Sequence, residues 1–153
     1  ELAEAEKYEN NISQHQAQIQ QQLDSWATAC RSKDVSQIMR HYAEDVVAYD
    51  AIGPLRFVGR ETYQAHWQAC METCPGPGLF EIHQPSFLLS GELAMVHYLF
   101  HCGGTDDQGV LHSSWMRVSQ CFRLLGGQWL IAHEHFSMPG DMESGKILFD
   151  LQP

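Results

Sequence analysis

Positive charge is scarce in this sequence. Nine Lys and Arg residues face nineteen Asp and Glu, for a formal net charge of −10. That balance makes nucleic acid and anionic membrane surfaces poor partners. Long apolar runs are missing too, and none approaches the ~20 residues of a membrane-spanning helix. The first residues are acidic and polar, unlike the apolar segment of a secretory leader. Cysteine occurs five times, an odd number without framework spacing, so reduced thiols and a cytoplasmic setting are expected. Cys70 and Cys74 lie four apart, but no second cysteine pair accompanies them, which favours packing over zinc ligation. No repeat, linker or low-complexity segment divides the 153 residues. That length suits one domain with a real core: a polar extension over 1–13, a domain over 14–139 and a tail over 140–153.

What is present is 44% hydrophobic residue, arranged with two periods. Ile19, Leu23, Trp26, Ala27 and Cys30 follow helical spacing. Asp34 is a plausible N-cap for a short helix with Val35, Ile38, Met39 and Tyr42 inward. Gly59 to about Glu72 reads as a third helix, with Tyr63, Trp67 and Met71 on one stripe, stopped by Pro75-Gly76-Pro77-Gly78. After that the period falls to two. Strands are expected over 80–89, 93–102, 110–125 and 128–137, with a hairpin loop over 103–109 and a tight turn at Gly126-Gly127. Helices first and an antiparallel meander second imply an α+β fold, with three helices packed on one face of a curved antiparallel sheet.

The stretch Asp45 to Pro54 links the two halves. It reads as a short buried strand and a turn, with Val46, Ala48 and Asp50 on one face. A carboxylate there either caps its own turn or sits at the rim of a pocket, because a buried unpaired Asp is costly. Both faces of the later strands are partly apolar, which is unusual for a sheet with one wet face. A second copy of the chain is therefore expected on the outer face, where Tyr98, Trp115, Trp129 and Ile131 are placed.

The order of helices, cone and meander resembles the nuclear transport factor 2-like superfamily. Trp26 to Gly59 can be laid without a gap on the corresponding stretch of steroid ketoisomerases. Asp50, nine residues before Gly59, falls where those enzymes keep the carboxylate that moves the proton. Tyr42 falls near a tyrosine of their hydrogen-bond network. Gln120, just before Cys121-Phe122-Arg123, falls where they keep a protonated aspartic acid, half of an oxyanion hole. The tyrosine forming the other half is replaced here by Trp26. The ending from Trp129 to Pro139 is similar to the SnoaL-like and calmodulin-kinase association-domain branches.

The resemblance implies a cone-shaped, cystatin-like roll. Asp50 and His97 are the expected catalytic pair. The expected ligand-lining residues are Trp26, His66, Met95, Leu99, His101, Val118, Gln120, Glu134 and Phe136. An apolar wall of Met95, Leu99, Val118 and Phe136 would disfavour the charged form of Asp50, which suits a base working near neutral pH. Ordinary ketosteroid isomerisation is disfavoured, because Trp26 offers a neutral donor only and Gln120 is not acidic. The reading is a SnoaL-like pocket protein, of isomerase, cyclase or dehydratase type, with Asp50 as general base on a small apolar carbonyl compound. The other reading is a non-catalytic ligand-binding or oligomerisation module. No cofactor is expected. His133 and His135 form a His-x-His pair, but on the outer face and away from His97 and His101, so no metal site is expected either.

Overall fold

The computed structural model describes all 153 residues, Glu1–Pro153. Helix α1 (Leu2–Ser32) buries Ile19, Leu23, Trp26, Ala27, Ala29 and Cys30 on one stripe, the pattern of a helix laid on a core. The extension over 1–13 is the solvated start of this same helix. Lys33 ends it in a left-handed conformation, φ 57°. Asp34 then caps α2 (Val35–Met39), its carboxylate accepting the Gln37 N–H at 3.2 Å.

Strand β1 (Tyr42–Tyr49) pairs with the two-residue β2 (Phe57–Val58), and Gly59 turns the chain into α3 (Arg60–Thr73). Gly59 has φ 92°, where a side chain would be strained, and its N–H bonds the Val46 carbonyl at 2.7 Å. The end of α3 falls at Cys74, just before Pro75, which has no N–H to continue it. Four long strands follow: β3 (Gly78–Ser90), β4 (Leu93–Thr105), β5 (Leu111–Leu125) and β6 (Gln128–Ser137). The expected loop over 103–109 is shorter than its sequence suggests, because Gly103–Thr105 continue β4. The sheet order is β2-β1-β6-β5-β4-β3. Neighbours run antiparallel except β1, which lies parallel to β6. The helices share the inner face, where the Trp26 ring meets Trp67, Phe100 and Phe136 at 6.1, 5.5 and 6.4 Å. No helix is long and apolar enough to cross a membrane.

Two facings differ from expectation. In β4 the alternation is present with the opposite parity: Ala94, Val96, Tyr98 and Phe100 are buried. Met95, His97, Leu99 and His101, expected inside, lie on the outer face. Burying that face would strand imidazoles in the core. Burying Tyr98 gives its hydroxyl an acceptor, Gln120 Oε1 at 2.9 Å, and buried polar groups need partners. In β6 the register slips once: Phe122 faces Ile131, yet Cys121 faces His133. Ala132 is the extra residue of this bulge. It moves the inward face from Trp129 and Ile131 to Glu134 and Phe136, all four buried. Tyr98, Trp129 and Ile131 are thus core residues and not part of an outer face. Trp115 does lie outside, its ring stacked on His101 at 4.5 Å.

Candidate active site

The turn after β1 and the first turns of α3 converge. Asp50 continues the inward parity of Val46 and Ala48, beyond the strand end. His66 Nε2 donates to Asp50 Oδ2, and the Ala51 N–H donates to Oδ1 at 2.7 Å. Asp50 thus bonds the backbone of its own turn and faces a partner side chain at once. The side chains are 16% and 12% exposed for Asp50 and His66. The His66 ring stacks on Phe57 at 4.2 Å. Gly53, at φ 90°, lets the turn close over that ring. The expected partner of Asp50 is His97. His97 is on the far side of the sheet, and the Trp26 N–H is spent on Tyr42 Oη at 3.0 Å.

Beneath this pair lies a buried polar network centred on Glu134, which is fully enclosed. Tyr42 Oη donates to its carboxylate at 2.8 Å, Gln120 Nε2 donates at 2.8 Å, and Tyr63 Oη donates as well. Burial pushes the Glu134 carboxyl up to about 7, while the bonds from Gln120, Tyr63 and Tyr42 pull it down. Burial, then the charge of Glu134, raises Tyr42, Tyr63 and Tyr98 above the ordinary phenol range. These phenols act as donors and not as bases.

Asp50 and His66 open onto an apolar chamber of about 130 Å³, walled also by Tyr63, Trp67, Phe100 and Phe136. It shares Ile52, Trp67, Cys70, Phe80 and Cys102 with a mouth of about 410 Å³. An apolar cavity of about 150 Å³ holds a guest the size of benzene, so the chamber suits one small ring, with the mouth left for the rest. The Trp67 indole N–H is buried without an acceptor. The Tyr63 oxygen comes near it but not in hydrogen-bonding geometry. A wider groove of about 470 Å³ lies on the outer face beside His83, His97 and Arg117. It has no carboxylate in its wall and no buried acid–base pair, so the smaller chamber is the better candidate for chemistry.

A family model described as a SnoaL-like domain matches residues 19–141. The chain belongs to the SnoaL-like family. It is similar to an NTF2-like protein of unknown function from Pseudomonas putida KT2440, with 42% identity, 92% of this chain and 98% of that chain covered, and a TM-score of 0.85. It is also similar to a ketosteroid isomerase-like protein from Erwinia carotovora atroseptica SCRI1043, at 21% identity over 79% of this chain and 93% of that one, TM-score 0.67. A third likeness is to a protein of unknown function with a cystatin-like fold from Nostoc punctiforme PCC 73102, at 13% identity over 80% and 89%, TM-score 0.67. At such identities the last two show the fold alone. Comparison with curated proteins found no match.

Among the expected site residues of this SnoaL-like domain, Asp50, His66 and Phe136 border the chamber. Gln120 and Glu134 form the network below, Trp26 joins it through Tyr42, and Val118 packs in the core opposite Phe136. Met95, His97, Leu99 and His101 are not brought to it. Tyr63, Trp67 and Cys70 of α3 also line the wall without having been singled out for the site. Their signal was helical spacing: 63, 66, 67 and 70 fall on one face of α3.

Proposed function

We propose that this SnoaL-like domain moves a proton on a small apolar carbonyl compound, as an isomerase, cyclase or dehydratase would. Asp50 and His66 act together as the acid–base pair. The observation that carries this reading is their hydrogen bond at the edge of an apolar chamber whose wall contains no Lys or Arg. A carboxylate–imidazole pair in such surroundings has its base held in one orientation and poorly solvated, which favours proton abstraction. Ordinary ketosteroid isomerisation fits poorly, because the Trp26 donor is spent on Tyr42 and the Gln120 side chain is committed to Glu134 and Tyr98.

The test is deuterium wash-in. Chelator-treated protein is incubated in D2O at neutral pH with a panel of small enolisable ketones, and mass spectrometry follows exchange. At least one ketone should gain deuterium faster than the buffer control. Asp50→Asn should lower that rate by about 100-fold or more, the ordinary size of a general-base contribution. Exchange on no member of the panel, or exchange indifferent to Asp50→Asn, would leave the non-catalytic module as the better account.

A further inference from the structure

Cys70 brings a third kind of ligand atom to the same corner. It follows His66 by one helical turn on α3, so both side chains leave the helix on one face. Its Sγ lies 3.7 Å from His66 Nε2. Asp50 arrives from a separate element, the turn after β1. The donor atoms of Asp50, His66 and Cys70 all lie within 4.8 Å of one another. We infer that these three residues bind one divalent cation of the zinc class, with a fourth coordination position open to the cavity.

The distances suit that ion. With Zn–S near 2.3 Å and Zn–N near 2.0–2.1 Å, a tetrahedral site has an S···N edge of about 3.6 Å. The Cys70 Sγ to His66 Nε2 separation, 3.7 Å, has that length, but Sγ is also 4.0 Å from Nδ1, so it lies beside the ring and swings toward the Nε2 lone pair to share an ion. A cation entering the corner would sit between Asp50 and His66 and replace their direct hydrogen bond. Two of the three ligands are held beforehand: Asp50 Oδ1 by the Ala51 N–H at 2.7 Å, and the His66 ring by its stack on Phe57 at 4.2 Å. No Lys or Arg lines the inner chamber. A divalent ion that displaces the Cys70 proton would balance the thiolate it forms together with the Asp50 carboxylate. A set of one imidazole, one thiolate and one carboxylate selects zinc over magnesium or calcium, which prefer oxygen alone.

A nucleophilic Cys–His–Asp triad fits less well. In such a triad the two nitrogens of the imidazole serve different partners. Here Asp50 and Cys70 both approach most closely the same nitrogen, Nε2, with Cys70 4.0 Å from Nδ1. Burial and the Asp50 charge also hold the Cys70 thiol up, away from the reactive thiolate.

The bound cation and the Asp50–His66 proton-transfer pair exclude each other at this corner, so the two readings are tested separately: proton exchange on chelator-treated protein, and cation binding by spectroscopy with no substrate present. Cobalt(II) is the probe, titrated into chelator-treated full-length protein under a non-thiol reductant. Binding should saturate at one ion per chain and bring up a near-ultraviolet thiolate-to-cobalt charge-transfer band. Cys70→Ser should remove the band. His66→Gln and Asp50→Asn should each weaken binding at least about tenfold, since even indirect partners of a metal cost that much. Cys121→Ser, on the outer sheet face, should change nothing. A wild-type protein without the band, or a band that survives Cys70→Ser, overturns the site. Should a variant fail to fold, the wild-type protein alone decides. Zinc should slow alkylation of Cys70 by iodoacetamide about tenfold or more relative to Cys121, reversibly with chelator. An unchanged Cys70 rate overturns it equally.

Discussion

Glu134 has no contact with solvent, and three side chains donate to its carboxylate. Those donors do not fully replace water, and burial leaves its pKa near 7 instead of the usual carboxylate range. The sign of the consequence follows from proton counting. Between about 4.3 and 7 the folded protein binds a proton at this position that the unfolded chain has lost. Glu134 therefore favours the fold most at low pH, and that contribution is lost as pH rises through about 7. Its upper bound is about 4 kcal/mol, from a shift of two to three units at ~1.4 kcal/mol each. Glu134→Gln keeps the volume and fixes a neutral group. The stability difference between wild type and Glu134→Gln, followed by urea unfolding from pH 5 to 8, should move toward the variant as pH rises. A difference independent of pH would contradict the raised carboxyl.

At the scale of elements, the sequence was most legible where one period dominated. The stripe on α1, the Asp34 cap and the inward face of β5 all stand in the structure as their spacing implies. Gln120 was legible as inward for that reason, and it meets Glu134 across β5 and β6. Strand β4 was illegible in one respect. Met95 and Leu99 weigh about as much as Ala94 and Val96, so hydrophobicity alone does not choose a face. The choice is made by Tyr98, whose hydroxyl finds Gln120. The bulge at Ala132 left no mark that alternation could detect, since a bulge is recognised from its partner strand. The site suffered from the parity of β4, while Glu134 and Phe136 beyond the bulge face inward as expected. His97 was expected beside Asp50 from one sheet parity, whereas His66 comes from a helix. The stripe read from the sequence was Tyr63, Trp67 and Met71. The same spacing also puts His66 and Cys70 on that side of α3, but only the turn at Gly53 brings Asp50 over to them.

For the molecule as a whole, the outer sheet face is the open matter. With Tyr98, Trp129 and Ile131 withdrawn into the core, that face still presents Leu88, Leu93 and Met95, with Trp115 and Leu99 half-buried. A second copy of the chain is proposed to cover it, removing ~800 Å² per partner as ordinary interfaces do. Light scattering at micromolar concentration should give twice the 17.4 kDa of one chain, and a single-chain mass would remove the proposal. Such a dimer would bury the groove beside His83, His97 and Arg117 and leave the chamber under α3 facing outward as the place for a ligand. An unbiased difference-density map of crystals soaked with the most active ketone tests that placement most directly. Density is predicted in the chamber, with carbon within reach of Asp50 or His66. Density confined to the outer groove, with the chamber filled by protein side chains or water alone, would contradict the account.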